Sequence, residues 1–196
     1  MRIVAGHYRG RPLLSPPDGR IRPTSDRVRE AVFNILAHGV AEVGLANAVV
    51  LDLFAGTGAL GLEALSRGAR SCLFVEQDPE ARGLIRRNIE AFGLTGVTRI
   101  YRRDATDLGD AGNRQQSTLV FLDPPYGQGL GEKALASAAG GGWIAPDAII
   151  VLEERDGTAL AWPPGFVVLD GRTWGDTMVG FARYVGSASP AVRARA

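Results

Sequence analysis

Leu119-Val120-Phe121-Leu122-Asp123-Pro124-Pro125-Tyr126-Gly127 reads as a buried strand stopped abruptly by Asp-Pro-Pro-Tyr. A proline restrains the residue before it toward extended geometry and carries no N–H of its own. The loop therefore presents acceptors: the Asp123 carboxylate and the carbonyls of Asp123 and Pro124. The aromatic face of Tyr126 follows at once. Acceptors beside a ring suit a flat molecule bearing an NH2 group, such as a nucleobase. A strand ending in a proline-rich turn accounts for these residues equally well when they are taken alone.

A second constellation lies upstream. Gly56-x-Gly58-x-x-Gly61 follows the apolar run Asn47–Phe54, and Glu76 stands 20 residues beyond Gly56. That spacing matches a dinucleotide-binding loop, so an NAD-binding domain is one reading. Asp52 argues for another. A carboxylate four residues before Gly56 repels a pyrophosphate but attracts a ligand carrying an ammonium and a sulfonium. Asp-x-Phe-x-Gly-x-Gly is the pattern of an S-adenosylmethionine loop, expected to use Asp52, Phe54, Gly56, Thr57 and Gly58. Glu76, with Gln77 beside it, is placed to accept from ribose hydroxyls. Asp104, followed by Ala105, is a candidate acceptor for the adenine amine, with an N-cap role as the alternative.

The elements that must position these residues alternate along the chain. Strands are predicted at Asn47–Phe54, Ser71–Val75, Val97–Tyr101, Leu119–Leu122 and Ile149–Leu152. Helices are predicted at Leu60–Arg67, from an Asp78 N-cap and Pro79 to Gly93, and at Glu132–Ala139. This is the order of an α/β parallel sheet, in which ligands bind beyond the strand carboxyl ends where strand order reverses. If the first strand and Leu119–Leu122 flank that switch, the glycine loop and Asp-Pro-Pro-Tyr face each other. Phe166–Leu169 and Met178–Val185 read as an antiparallel edge hairpin, and Ser187–Ala196 as a frayed tail.

Before the sheet, Arg2–Leu14 is punctuated by Gly6 and Gly10 as a small hairpin would be. Thr24 or Ser25 is the candidate cap of a helix whose apolar stripe is Val28, Ala31, Val32, Ile35 and Leu36, ending near Gly39. Arg27, Arg29 and Glu30 fall outside that stripe or at its margin. Residues 1–38 hold seven arginines against three acids, a net +4 in a chain of net charge +1. The asymmetry points to an anion-binding face in which Arg9, Arg11, Arg22 and Arg27 form a cationic rim for RNA. Surface arginines that merely solvate the fold are the bland alternative.

With 196 residues and 45% hydrophobic content, one domain with a substantial core is expected. The lone Cys72 excludes an internal disulfide and fits a reducing compartment. No apolar run suggests a membrane span or leader, so a cytoplasmic protein is expected. His7 and His38 lack metal-ligand spacing, and no metal is expected.

Six segments together carry a resemblance: RIVAGHYRGRPL, RPTSDRVREAVFNIL, VLDLFAGTGALGLEALSRGA, FVEQDPEA, LDPPYG and RTWGDT. The chain resembles the bacterial small-subunit (16S) ribosomal RNA guanine-N2 methyltransferases, although Trp174 stands where the family more typically has tyrosine. The resemblance implies a doubly wound, mostly parallel seven-stranded Rossmann-like methyltransferase sheet. It further implies a small N-terminal hairpin and helix extension over 1–39, a methyltransferase domain over 40–186 and a tail over 187–196. It implies S-adenosylmethionine as cofactor and ribosomal RNA, free or assembled into the small-subunit particle, as partner. Asp123, Pro124 and Tyr126 are then the catalytic candidates, with Asp123 also beside the cofactor. Arg9, Arg11, Arg22, Thr24, Arg27 and Tyr126 are the substrate-facing candidates. Asp-Pro-Pro-Tyr alone also fits an adenine-N6 methyltransferase. A nicotinamide dehydrogenase and a non-catalytic RNA-binding module are the readings from other classes.

Overall fold

The computed structural model describes residues 1–15, 26–39 and 44–186. Arg22, Thr24, the capping position Ser25 and the tail over 187–196 lie outside the described residues. Among the described residues, four α-helices and seven strands follow in the order α1 (Asp26–His38), β1 (Val49–Leu53), α2 (Ala59–Ser66), β2 (Ser71–Val75), α3 (Pro79–Phe92), β3 (Thr98–Tyr101), β4 (Ser117–Leu122), α4 (Leu130–Gly140), β5 (Ile144–Arg155), β6 (Phe166–Trp174) and β7 (Thr177–Tyr184).

The strands form one sheet in the order β3-β2-β1-β4-β5-β7-β6, parallel from β3 to β5, with β7 and β6 antiparallel. Order reverses between β1 and β4, which pair in parallel with Leu53 beside Leu122. Alternation along the strands sends successive side chains to opposite faces. Val50 of β1, Phe121 of β4 and Val151 of β5 join the core under α1, α2 and α3. Leu51, Leu53, Val120, Leu122, Ile150 and Leu152 join the core under α4. Asp52 shares the first face, in register with Phe121 and Phe74, so a carboxyl sits where the pattern would place an apolar group.

The N-terminal segment pairs with itself and packs on α2, and the reading of Arg29 needs correction. The expected Arg2–Leu14 hairpin is a short one: an antiparallel bridge joins Arg2 and Pro12, Ile3 N donates to Arg11 O at 3.0 Å, Gly10 N to Ile3 O at 2.8 Å and Leu13 N to Met1 O at 3.1 Å. Other backbone donors of the segment turn toward α2. Val4 and Ala5 donate to the Glu63 carboxylate at 2.8 and 3.0 Å, His7 N to Ser66 O, and Tyr8 N to Ser66 Oγ. Gly6, at φ +81°, lies so close that an added Cβ would fall 2.0 Å from Ser66 O. No side chain fits there. Arg29, expected at a helix margin, is fully buried. Its guanidinium donates to Arg2 O and to Asp26 Oδ1 and lies 3.6 Å from Glu63 Oε2. Arg67 completes the cluster at 2.8 Å from Glu63. A buried guanidinium is tolerated only with such paired partners.

Candidate active site

The carboxyl ends of β1, β2, β4 and β5 open into a cleft of about 490 Å³. Asp52, Phe54, Gly56 and Thr57 line it from the first loop, and Glu76 and Gln77 from the end of β2. Ala105 lines it after β3, and Asp123, Pro124 and Tyr126 after β4. The switch between β1 and β4 thus brings the two sequence motifs to one cavity.

The amides of the three fingerprint glycines are already engaged. Gly56 N donates to Glu76 Oε2 at 2.9 Å, Gly58 N to Ala55 O at 2.7 Å, and Gly61 N to Asp52 Oδ2 at 2.9 Å. A dinucleotide pyrophosphate needs such amides directed at it, at a helix N-terminus without a carboxylate. Here two acidic side chains, Glu76 and Asp52, take up two of those amides, which suits a cationic ligand better than a pyrophosphate. Gly61 is required by close approach, since a Cβ there would sit 2.5 Å from Cys72 Sγ and 3.0 Å from Asp52 Oδ2. Phe54 adopts φ +58°, a costly conformation for a bulky residue, at the point where the chain leaves β1.

Asp52 is buried, with 1% of its surface exposed. Burial pushes its carboxyl up to about 8, the Gly61 amide opposes the rise, and nearby Glu76 adds to it. Glu76 is held on both oxygens, since Oε1 accepts from Asp78 N at 2.8 Å. Asp78 in turn caps α3 through Glu80 N and Ala81 N, so the same turn fixes both acids.

The Asp-Pro-Pro-Tyr loop is anchored by two acids that sequence reasoning missed. Tyr126 donates to Glu153 Oε1 at 2.5 Å and lies 3.5 Å from Thr177 Oγ1. Gly127 N donates to Glu154 Oε1 at 2.9 Å. Glu153 and Glu154 are buried neighbours at the end of β5, one on each face of the sheet. Burial, followed by the hydrogen bond to Glu153, raises the Tyr126 phenol well above its ordinary value. Two adjacent acids closing an apolar parallel strand were a readable signal, because ligands gather at that end. The RTWGDT segment spans the end of β6, the turn at Gly175 and Asp176 and the start of β7, and it carries Thr177 to Tyr126. Arg103 and Arg155 also line the cleft and were not anticipated.

Other candidates lie apart. Gly58 does not line the cleft; it forms the left-handed N-cap of α2. Asp104 lies outside the lining, and its Oδ1 accepts from Thr106 N and Thr106 Oγ1, both at 2.8 Å, in a turn rather than a helix. Arg9 and Arg27 line a second cleft of about 390 Å³ with Arg2, Asp26 and Glu30. Arg11 is not among them. Its guanidinium covers Phe92 at 4.6 Å and Tyr8 at 5.6 Å, and Tyr8 and Phe92 are themselves stacked.

A doubly wound sheet with an acid-lined glycine loop opposite Asp-Pro-Pro-Tyr defines an enzyme of the Rossmann-like methyltransferase class. The chain belongs to the family described as conserved hypothetical protein 95, whose model matches residues 1–183. It is 37% identical over 165 residues to ribosomal RNA small subunit methyltransferase D of Escherichia coli K12, covering 84% of this chain and 79% of that one. The protein of the same description in Haemophilus influenzae is 33% identical over 177 residues, 89% of either chain. Among solved structures, the Escherichia coli methyltransferase candidate yhhF superimposes with a TM-score of 0.79 at 31% identity, over 94% of this chain and 97% of that one. Among the described residues, no helix is long and apolar enough to cross a membrane.

Proposed function

We propose that this chain transfers a methyl group from S-adenosylmethionine to the exocyclic N2 amine of a guanine in small-subunit (16S) ribosomal RNA. The observation that carries the cofactor reading is the engagement of Gly56 and Gly61 amides by Glu76 and Asp52. That arrangement places the Glu76 carboxylate, and an Asp52 carboxyl that a cation would ionise, on amides a dinucleotide pyrophosphate would need. The residues fit the group: Asp52 toward its cationic end, Glu76 toward ribose hydroxyls, and Phe54, Gln77 and Ala105 along the walls. Bound there, S-adenosylmethionine supplies an electrophilic methyl group. The ribosomal RNA reading rests on the relatives' names over most of the chain, and the guanine-N2 assignment on the family resemblance.

The protein's own part is positioning and electrostatics. An exocyclic amine is a poor nucleophile because its lone pair is delocalised into the ring, and it becomes cationic as the new bond forms. The Asp123 carboxylate and Pro124 carbonyl accept from its hydrogens and stabilise that charge. The ring of Tyr126, tethered through its hydroxyl to Glu153, stacks on the unstacked base. Residues 1–39 form the RNA-facing extension of the domain, Arg9 and Arg27 contact phosphates, and the activity is cytoplasmic. Incubation with tritiated S-adenosylmethionine and separate RNA, DNA and ribonucleoprotein substrates, followed by nucleoside analysis, tests this. N2-methylguanosine in small-subunit RNA is the expected product. N6-methyladenosine, or tight NAD binding without S-adenosylmethionine binding, would overturn the reading.

A further inference from the structure

Asn88 lies on α3, away from the cleft lining, and is 1% exposed. Its side chain is used on every hydrogen-bonding group. Nδ2 donates to Thr57 O and to Leu14 O, both at 3.2 Å, and Oδ1 accepts from Leu14 N at 2.8 Å. One buried amide therefore holds the backbone of two segments that are 43 residues apart in sequence. Thr57 sits between Gly56 and Gly58 in the cleft wall. Leu14 ends the N-terminal segment that carries Arg9 to the second cleft.

A second tie runs parallel to the first. Asp52 grips the N-terminal turn of α2 through Gly61, while Glu63 and Ser66 of the same helix hold Val4, Ala5 and Tyr8. Both routes join the glycine loop to residues 1–15. A buried amide whose donors and acceptor are all satisfied has one low-energy arrangement, because releasing either segment strands polar groups away from water.

We propose that Asn88 is a positioning residue that couples occupancy of the cleft to the RNA-binding competence of the N-terminal segment. The proposal rests on the cofactor and RNA reading above. A ligand contact that stiffens the Thr57 loop raises the cost of breaking the Asn88 bonds, and so holds Leu14 and the segment behind it more firmly. Linkage makes the effect reciprocal: whatever cofactor binding adds to RNA affinity, RNA binding adds to cofactor affinity.

The test uses S-adenosylhomocysteine and a full-length small-subunit ribosomal RNA transcript. On the wild-type chain, hydrogen exchange in peptides covering residues 1–15 should slow when S-adenosylhomocysteine is added. RNA should bind about fivefold or more tightly in its presence, the lower range of ordinary coupling. Asn88→Ala should bring that ratio to less than about twofold, a loss that a merely less stable protein would not show. Unchanged exchange over residues 1–15 in the wild type would overturn the coupling even if the variant fails to fold. So would a ratio of one in the wild type, or a ratio retained in Asn88→Ala. Absence of S-adenosylhomocysteine binding or of RNA binding to the wild-type chain would instead overturn the underlying functional reading, and the coupling with it.

Discussion

Tyr126 donates its phenolic hydrogen to Glu153 Oε1 across 27 residues of sequence, joining the loop after β4 to the end of β5. The ring is thereby oriented at the cleft, and the hydroxyl is spent on structure. Tyr126→Phe should keep the stacking face and lose the tether, costing about 1.5–3 kcal/mol of stability for a bond to a charged group and lowering kcat. Tyr126→Ala removes the face as well and should cost roughly a further 1–3 kcal/mol of base stacking, read as raised KM for RNA. Steady-state kinetics on both variants separates the two contributions.

Glu76 holds Gly56 N and Asp78 N while facing the cleft. Glu76→Ala should weaken S-adenosylmethionine binding by about 1.5–3 kcal/mol in calorimetry. Wild-type protein titrated with NAD should give no binding heat.

Asp52 supplies a pH signature. Its carboxyl in the free protein is raised to about 8, chiefly by burial. A cationic ligand favours the carboxylate, so binding should expel a proton below that pH. Affinity should be greatest above about pH 8 and fall by up to about tenfold per unit as pH drops. Calorimetry in buffers of different ionisation enthalpy counts the proton. Asp52→Asn should abolish both the proton release and the slope.

Asp123 lines the cleft after β4. Asp123→Ala should reduce turnover by about 100-fold or more while S-adenosylmethionine affinity stays within a few-fold, as for loss of a group acting mainly in the transition state. Binding and single-turnover assays on one preparation decide it.

The arginines divide by their surroundings. Arg9 and Arg27 share an open cleft, whereas Arg11 caps the Tyr8–Phe92 stack. Arg9→Ala and Arg27→Ala should each reduce the slope of log affinity against log salt by about 0.7–0.9 with little change in Tm. Arg11→Ala should do the reverse, lowering Tm and leaving the salt slope intact.

The sheet and its two motifs were legible because apolar runs bounded by glycine, proline and acid are local signals. Asp78 and Pro79 marked the start of α3 and Gly93 its end, and the structure keeps both. What escaped were groups whose meaning depends on distant partners. Arg29 looked like a surface residue until Asp26, Glu63 and the Arg2 carbonyl surrounded it. Glu153 and Glu154 ended a strand without revealing which loop they would hold. The N-terminal segment keeps its hairpin pairing, but nothing local marked Val4 and Ala5 as donors to Glu63 of α2. Arg11 carried the right charge in the wrong company, since stacked rings lay within its reach.

The placement of β7 between β5 and β6 has a consequence for how the protein is made. β5 is complete at Arg155, yet the strand that covers its open edge, Thr177–Tyr184, is synthesised later. During translation the nascent sheet therefore exposes the Ile149–Leu152 edge, an uninterrupted apolar strand with unpaired backbone groups. Such an edge is a template for wrong pairing. The interval between ribosomal release of β5 and of β7 is the period in which chaperone protection would matter most.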